Sequence, residues 1–142
     1  MKLKLILGII VALGLLIQFI PIDRENPPVS MTVSAPDEVM TILQDACFDC
    51  HSNETVWPWY TYTAPMKFLI ANHVKEGRSY LNFSEWDVVM GYDSVEIANE
   101  IIEVMEEDRM PIKPYRALHP EARLEADQIA SLVDWAETLR KP

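Results

Sequence analysis

An all-α fold preceded by one membrane-crossing helix is what the sequence predicts. Apolar side chains recur at helical spacing in several separate segments, no segment alternates in the two-residue rhythm of a half-buried strand, and the first 22 positions are almost continuously apolar. The 142 residues suit one folded domain. A hydrophobic share of 49% against 24% charged residues excludes wholesale disorder. The net charge of −10, from 12 basic and 22 acidic side chains, lacks the basic face of a nucleic-acid binder, so no nucleic-acid partner is expected. Two cysteines are too few for a disulfide scaffold.

The chain opens Met1-Lys2-Leu3-Lys4 and then runs from Leu5 to Ile20 with Gln18 as its one polar interruption, the layout of an export signal. The positive-inside bias keeps the lysines in the cytoplasm and sends everything after Pro21 outward. Gln18-Phe19-Ile20-Pro21-Ile22 holds no small-residue cleavage site, and the absence of cysteine before Cys47 excludes lipoprotein processing. A buried core helix would show a polar face, which this run lacks. Residues 1–22 are therefore expected to be an uncleaved signal anchor, contacting the inner membrane through residues 5–22. Residues 23–35, with Asn26-Pro27-Pro28, Ser30, Thr32 and Ser34, read as an extended polar tether. Residues 36–142 then form the folded domain, placed in the periplasm.

Within that domain, Ser34 to Asp37 resembles a capping box opening a helix with Val39, Met40, Ile42 and Leu43 on its apolar face. A loop with Trp57-Pro58-Trp59-Tyr60 and Pro65 follows. Met66 to Glu76 predicts a second helix carrying Phe68, Leu69, Ile70 and Val74, with Gly77 as its stop. Ser84-Glu85-Trp86-Asp87 opens a short helix by the same capping logic. Asp93-Ser94 opens another, to about Asp108, with Val95, Ala98, Ile101, Ile102 and Met105 in register. Arg109 to Arg123 has three prolines and no helical period, so it reads as irregular. Ile129, Leu132, Val133, Ala136 and Leu139, beside Trp135, line a C-terminal helix.

Cys47-Phe48-Asp49-Cys50-His51 is a Cys-x-x-Cys-His run, the attachment sequence of c-type haem. Two thiols one helical turn apart can form thioethers with the two vinyl groups on one porphyrin edge. The histidine after Cys50 is carried beneath the ring as the proximal iron ligand. A thioredoxin-like pair would need a strand–helix context, and a zinc site a second closely spaced ligand pair; neither pattern is present. A disulfide across so small a loop would stabilise little. The cofactor expected is one haem c, held through Cys47 and Cys50.

For the second axial position, Met110 stands just ahead of Pro111 in the irregular segment, and a thioether opposite histidine raises the iron potential as electron carriers require. Ordinary core filling is the plainer role for a methionine; Met105 fits it by its register, while Met40, Met66 and Met90 lie in or beside helices. His73, near the apolar face of the second helix, is the alternative ligand, and His119 a weaker one. Trp57, Trp59 and Tyr60 could pack on the porphyrin or form a core cluster. Arg78, and less well Lys75, could pair with propionates or remain solvated.

With these residues in view, the chain resembles the membrane-anchored haem-binding domain family of c-type cytochromes common in Bacteroidetes-like bacteria. The resemblance rests on Cys47 through Ser52-Asn53, Trp57-Pro58-Trp59-Tyr60, His73-Val74-Lys75-Glu76-Gly77-Arg78, Leu81-Asn82-Phe83-Ser84-Glu85-Trp86, Met110-Pro111, and Tyr115 through Leu118-His119-Pro120-Glu121-Ala122. It implies a cytochrome c-like helical domain around one covalent haem, exported and often anchored. A glycine commonly precedes the methionine in such proteins, where this chain has Arg109. The expected function is a periplasmic one-electron carrier, more in keeping with the sequence than a catalyst, working with redox partner proteins in the periplasm or membrane. A haem-based sensor or ligand-binding module, or a small haem peroxidase, are the alternatives; His73 with Arg78 is the nearest approach to a distal acid–base pair.

Overall fold

The structure, a computed structural model, describes residues 2–89, 91 and 94–140. Met90 and Asp93, which figured in the expectations above, lie outside the described residues. Eight α-helices are described: α1 (Lys2–Leu16), α2 (Asp37–Ala46), α3 (Phe48–His51), α4 (Met66–Tyr80), α5 (Trp86–Val89), α6 (Ser94–Glu106), α7 (Lys113–Leu118) and α8 (Ala126–Leu139), with 3-10 turns at Ile17–Phe19, Trp59–Tyr62 and Pro120–Ala122. Among the described residues there is no strand beyond an isolated bridge between Met31 and Glu85. The expected all-α fold is what the chain adopts.

The core forms where α8 packs on both α6 and α2. Helical spacing puts Val39, Ile42 and Leu43 of α2, Ala98, Ile101, Ile102 and Met105 of α6, and Leu132, Trp135 and Ala136 of α8 out of solvent. A row of stacked rings crosses this core: Phe48 on Phe83 at 5.7 Å, Phe83 on Trp86 at 5.9 Å, and Trp86 on Trp135 at 6.1 Å. The row ties the Cys47–His51 segment to the terminal helix. α1, by contrast, buries none of its residues, and Lys2–Phe19 is long and apolar enough to cross a membrane.

Four local expectations need correction. α2 opens at Asp37 behind Pro36 with no side-chain cap; Asp37 and Glu38 instead complement the helix dipole, and the capping box sits at α8, where Glu125 and Gln128 exchange bonds. Gly77 does not stop its helix, which continues to Tyr80. The glycine is there because α3 comes too close: a Cβ at position 77 would sit 2.9 Å from the Cys50 carbonyl carbon and closer still to its oxygen. Ser84 does not cap α5; its hydroxyl accepts the Asn53 amide at 3.0 Å.

The fourth concerns Arg109–Arg123, which holds α7 and the Pro120–Ala122 turn. Pro114 falls in the first turn of α7, where a missing N–H costs nothing, so it starts a helix instead of breaking one. Just upstream, Asp108 carries the left-handed backbone conformation (φ 54°), and Arg109 and Met110 both donate to the Val104 carbonyl. The turn therefore does not need glycine at position 109, since aspartate tolerates that conformation one residue earlier. Arg116 pairs with Asp108 at 2.6 Å across the turn, which pulls the aspartate's pKa down.

Residues 23–35 carry no helix and lie along the domain. Val33 is buried in the core, its amide donating to the Phe83 carbonyl at 2.8 Å. Trp86 N–H donates to the Met31 carbonyl at 2.9 Å, and Asn53 donates to the Pro28 carbonyl, also at 2.9 Å. Sequence composition marked this segment as a polar tether, but the groups that bind its backbone are distant in sequence.

Candidate functional site

Cys47 ends α2, and the four residues of α3 carry Cys50 and His51. The helical turn is closed by amides of Cys50 and His51 donating to the Cys47 carbonyl at 3.1 and 2.9 Å, so both thiols leave one short, rigid element. Both cysteines are free and half-buried. Burial pushes the Cys47 thiol up to about 12, with Cys50 adding to it. Burial likewise pushes Cys50 to about 11, with the Asp49 charge raising it further and Arg78 opposing. Both are neutral thiols near pH 7, which is the reverse of what a thioredoxin-like nucleophile needs. Among the described residues no three His, Cys, Asp or Glu side chains gather, so a zinc site lacks its donors.

In the folded haem-free chain, iodoacetamide is therefore expected to alkylate these cysteines roughly a hundredfold more slowly near pH 8 than in denaturant, because the thiolate is the reactive form. Equal rates in a time course would show that the thiols are not held in this environment.

His51 is oriented from behind. Its Nδ1 lies 3.0 Å from the Leu81 carbonyl, beyond the end of α4, and its own carbonyl accepts the Phe83 amide at 2.7 Å. Burial lowers the His51 pKa, opposed by hydrogen bonds to the Leu81 and Gly77 carbonyls, so the ring is neutral near pH 7. A neutral imidazole donating from Nδ1 presents the Nε2 lone pair, the form that ligates metals. The segment following His51 is fixed by a buried polar knot. Asn53 Oδ1 accepts from Asn82 Nδ2 at 2.9 Å, Asn82 Oδ1 accepts the Ser84 amide at 3.0 Å, and Ser52 Oγ donates to the Phe48 carbonyl at 2.7 Å. All four of these polar residues are buried and paired.

Beside Cys50 lies an apolar cavity of about 70 Å³, walled by Leu69, Ile70 and Val74 of α4 and by Ile112, Tyr115 and Leu118 of the α7 region. Tyr60 and His73, both anticipated from sequence, also line it, and His73 Nδ1 is buried there without a hydrogen-bond partner. Met110 is not among its lining residues. It sits in the bend between α6 and α7, 38% exposed, joined to Pro111 by a cis peptide.

The aromatic and basic residues separate. Trp57 donates from Nε1 to the Arg24 carbonyl at 3.0 Å, and Trp59 is 81% exposed. Arg78 donates to the carbonyls of Ser52 (2.7 Å) and Glu25 (3.2 Å), to Asn26 Oδ1 (2.7 Å) and to Thr55 Oγ1 (2.9 Å). Four of its five N–H donors are thereby committed, two of them to residues 25 and 26 and two to Ser52 and Thr55. Lys75 is exposed along the cleft beside that segment.

Two residues carry more of the site than their sequence context signalled. Asp49 Oδ2 accepts the Tyr115 hydroxyl at 2.8 Å and its Oδ1 the Val56 amide at 2.9 Å. Tyr115 stacks flat on His119 at 4.0 Å, while His119 is held by the Tyr60 hydroxyl at 2.8 Å and by Glu121 at 2.9 Å. Spacing supplies one signal, since Tyr115 and His119 are four apart, one turn of helix. The link to Asp49 has none. Together these contacts fasten the Cys47–His51 segment to the segment that follows Met110.

The donor set suits a haem: paired thiols on one turn, a neutral imidazole anchored through Nδ1, and an apolar cavity next to them. A family model described as a haem-binding domain matches residues 12–138, nearly the whole chain. No curated protein and no solved structure matches it significantly.

Proposed function

The chain belongs to the haem-binding domain family, and on that premise we propose that it is a membrane-anchored, periplasmic mono-haem c-type cytochrome that carries single electrons. The observation that carries the reading is the anchored His51, whose Nδ1 is engaged by the Leu81 carbonyl beside two neutral thiols on the same helical turn. Thioether formation adds each S–H across a vinyl double bond, so Cys47 and Cys50 each contribute one carbon–sulfur bond. When bound, the haem supplies an iron that exchanges one electron between ferrous and ferric states. The protein's part is to hold the ring, present His51 Nε2, exclude water with Leu69, Ile70 and Ile112, and fix the axial environment. α1 supplies the anchor, and the lysines at positions 2 and 4 favour a cytoplasmic start and an outward-facing domain. The acidic surface steers the carrier toward a basic partner, with salt-sensitive association.

The decisive measurement is a pyridine haemochrome spectrum of the exported protein, expected to show haem with both vinyl groups saturated. A b-type spectrum, or haem extractable by acid acetone, would overturn covalent attachment. Carbon monoxide is expected to bind the reduced protein poorly if the iron is closed on both sides, whereas ready binding favours a sensor or a peroxidase.

Met110 is the proposed distal ligand, and Met110→Ala is expected to abolish the thioether-to-iron charge-transfer band while the haem stays attached. His73 remains the second reading because its buried Nδ1 has no partner and the ring lines the same cavity as Cys50. If the band is absent from the unsubstituted protein and His73→Ala opens the iron to carbon monoxide, His73 is the ligand.

A further inference from the structure

We propose that the Trp59–Tyr62 turn inserts into the lipid headgroup layer at the outer end of α1, so that the haem domain rests on the membrane by a second contact. The proposal depends on the membrane-anchor reading above.

Its first support is position. The turn and the residues just after it are bonded to the chain on both sides of the point where α1 would leave the bilayer. Gln18, in the last turn of the apolar run, accepts the Ala64 amide at 2.8 Å and donates to the Ala64 carbonyl at 3.4 Å. The Lys67 ammonium, 4% exposed, donates at 2.7 Å to the carbonyls of both Gln18 and Ile20. It thereby supplies donors, and a cation, to the free carbonyl end of the membrane helix. On the far side of Ile20, Arg24 donates to the Thr61 carbonyl at 2.5 Å, and its guanidinium lies 4.4 Å from the centre of the Tyr62 ring. The turn is therefore fixed at the height of Gln18 to Arg24, which is the membrane–water boundary if residues 2–19 span.

The second support is chemistry. Trp59 is 81% exposed and Tyr62 62% exposed, whereas Trp86 and Trp135 are buried in the core. Rings with an apolar body and one polar tip are the side chains enriched at membrane interfaces. Phe19, 83% exposed, and Ile20, 51% exposed, stand at the end of the same helix and extend the apolar surface from the bilayer toward the turn. A lipid surface is the occupant that satisfies both supports, because no other partner is obliged to meet the chain at this height.

The test uses the haem-loaded full chain in phosphatidylcholine vesicles containing a phospholipid with a diazirine near its headgroup, with adducts mapped by peptide mass spectrometry. Adducts are expected on α1 and on the peptide carrying Trp59 to Tyr62. The peptide carrying Tyr80, which is 85% exposed and about 20 Å along α4 from Lys67, should stay at background. Adducts on α1 without adducts on the turn would overturn the proposal and leave the anchor standing; adducts on neither would remove the anchor and the proposal together. Replacing both Trp59→Ser and Tyr62→Ser should bring the turn to the Tyr80 level, with α1 adducts and the Soret band unchanged. Turn labelling that survives this pair of substitutions would also overturn it.

Discussion

Replacing Gly77 with alanine is expected to destabilise the domain by about 3 kcal/mol and to impair haem attachment, although the substitution favours the helix locally. In the middle of α4, alanine would normally gain about 1 kcal/mol over glycine. Here the added methyl would lie 2.9 Å from the Cys50 carbonyl carbon and 3.2 Å from its Cβ, with the carbonyl oxygen nearer still. Those are atoms of a closed helical turn, not the end of a flexible side chain, so relief requires α3 to move off α4. Overpacking commonly costs about 1–3 kcal/mol and occasionally more. This clash with backbone atoms belongs above that range, at about 4 kcal/mol, which leaves a net loss of about 3 kcal/mol once the helix gain is subtracted. The same displacement pulls His51 away from the Leu81 carbonyl and shifts both thiols. The expected thermal midpoint falls by roughly 10–20 °C, and the fraction of chain carrying covalent haem falls with it. An unchanged or raised midpoint would show that α3 and α4 do not meet this closely. Gly77→Ser should be no better, since the clash arises at Cβ.

The Cys-x-x-Cys-His run and the helical class were legible because each depends on local spacing. Cysteines three apart and a following histidine announce their chemistry without reference to the rest of the chain. The periodicity of Val39, Ile42 and Leu43, or of Ile101, Ile102 and Met105, likewise records one buried face. What could not be read depends on neighbours far away in sequence. Gly77 reads as a helix stop until α3 is laid against it, and Arg78 reads as a propionate partner or a solvated cation until residues 25 and 26 reach its guanidinium. The Leu81-Asn82-Phe83-Ser84 and Ser52-Asn53 motifs carry no reagent-like side chain. Their purpose appears in the knot that joins Asn53, Asn82 and Ser84 behind His51. Lys67 gave no signal at all, because a lysine in an amphipathic helix ordinarily faces water. It is buried because the free carbonyls at the end of the apolar run supply its hydrogen bonds.

Asp49→Ala is the second change with a large expected effect, and it separates the role of the intervening residues of the attachment motif from that of the thiols. The Asp49 carboxylate accepts the Tyr115 hydroxyl at 2.8 Å and the Val56 amide at 2.9 Å. Tyr115 is half-buried in the apolar cavity, and burial together with the Asp49 charge raises its pKa, so it stays protonated and donating across the whole range in which the protein folds. Removing the acceptor strands that hydroxyl and is expected to cost about 2–3 kcal/mol, at the level of a hydrogen bond to a charged group. Tyr115→Phe should cost less, because the carboxylate it leaves behind is only half-buried and still accepts the Val56 amide. The two changes together should cost less than their sum, since no buried hydroxyl remains unpaired. A double-mutant cycle read by thermal or denaturant unfolding measures that coupling, and strictly additive costs would show that the contact carries no energy. Because Tyr115 lies five residues beyond Met110, each single variant should also weaken the thioether-to-iron band while leaving the haem covalently bound. That combination distinguishes a residue that positions the distal segment from one that attaches the cofactor.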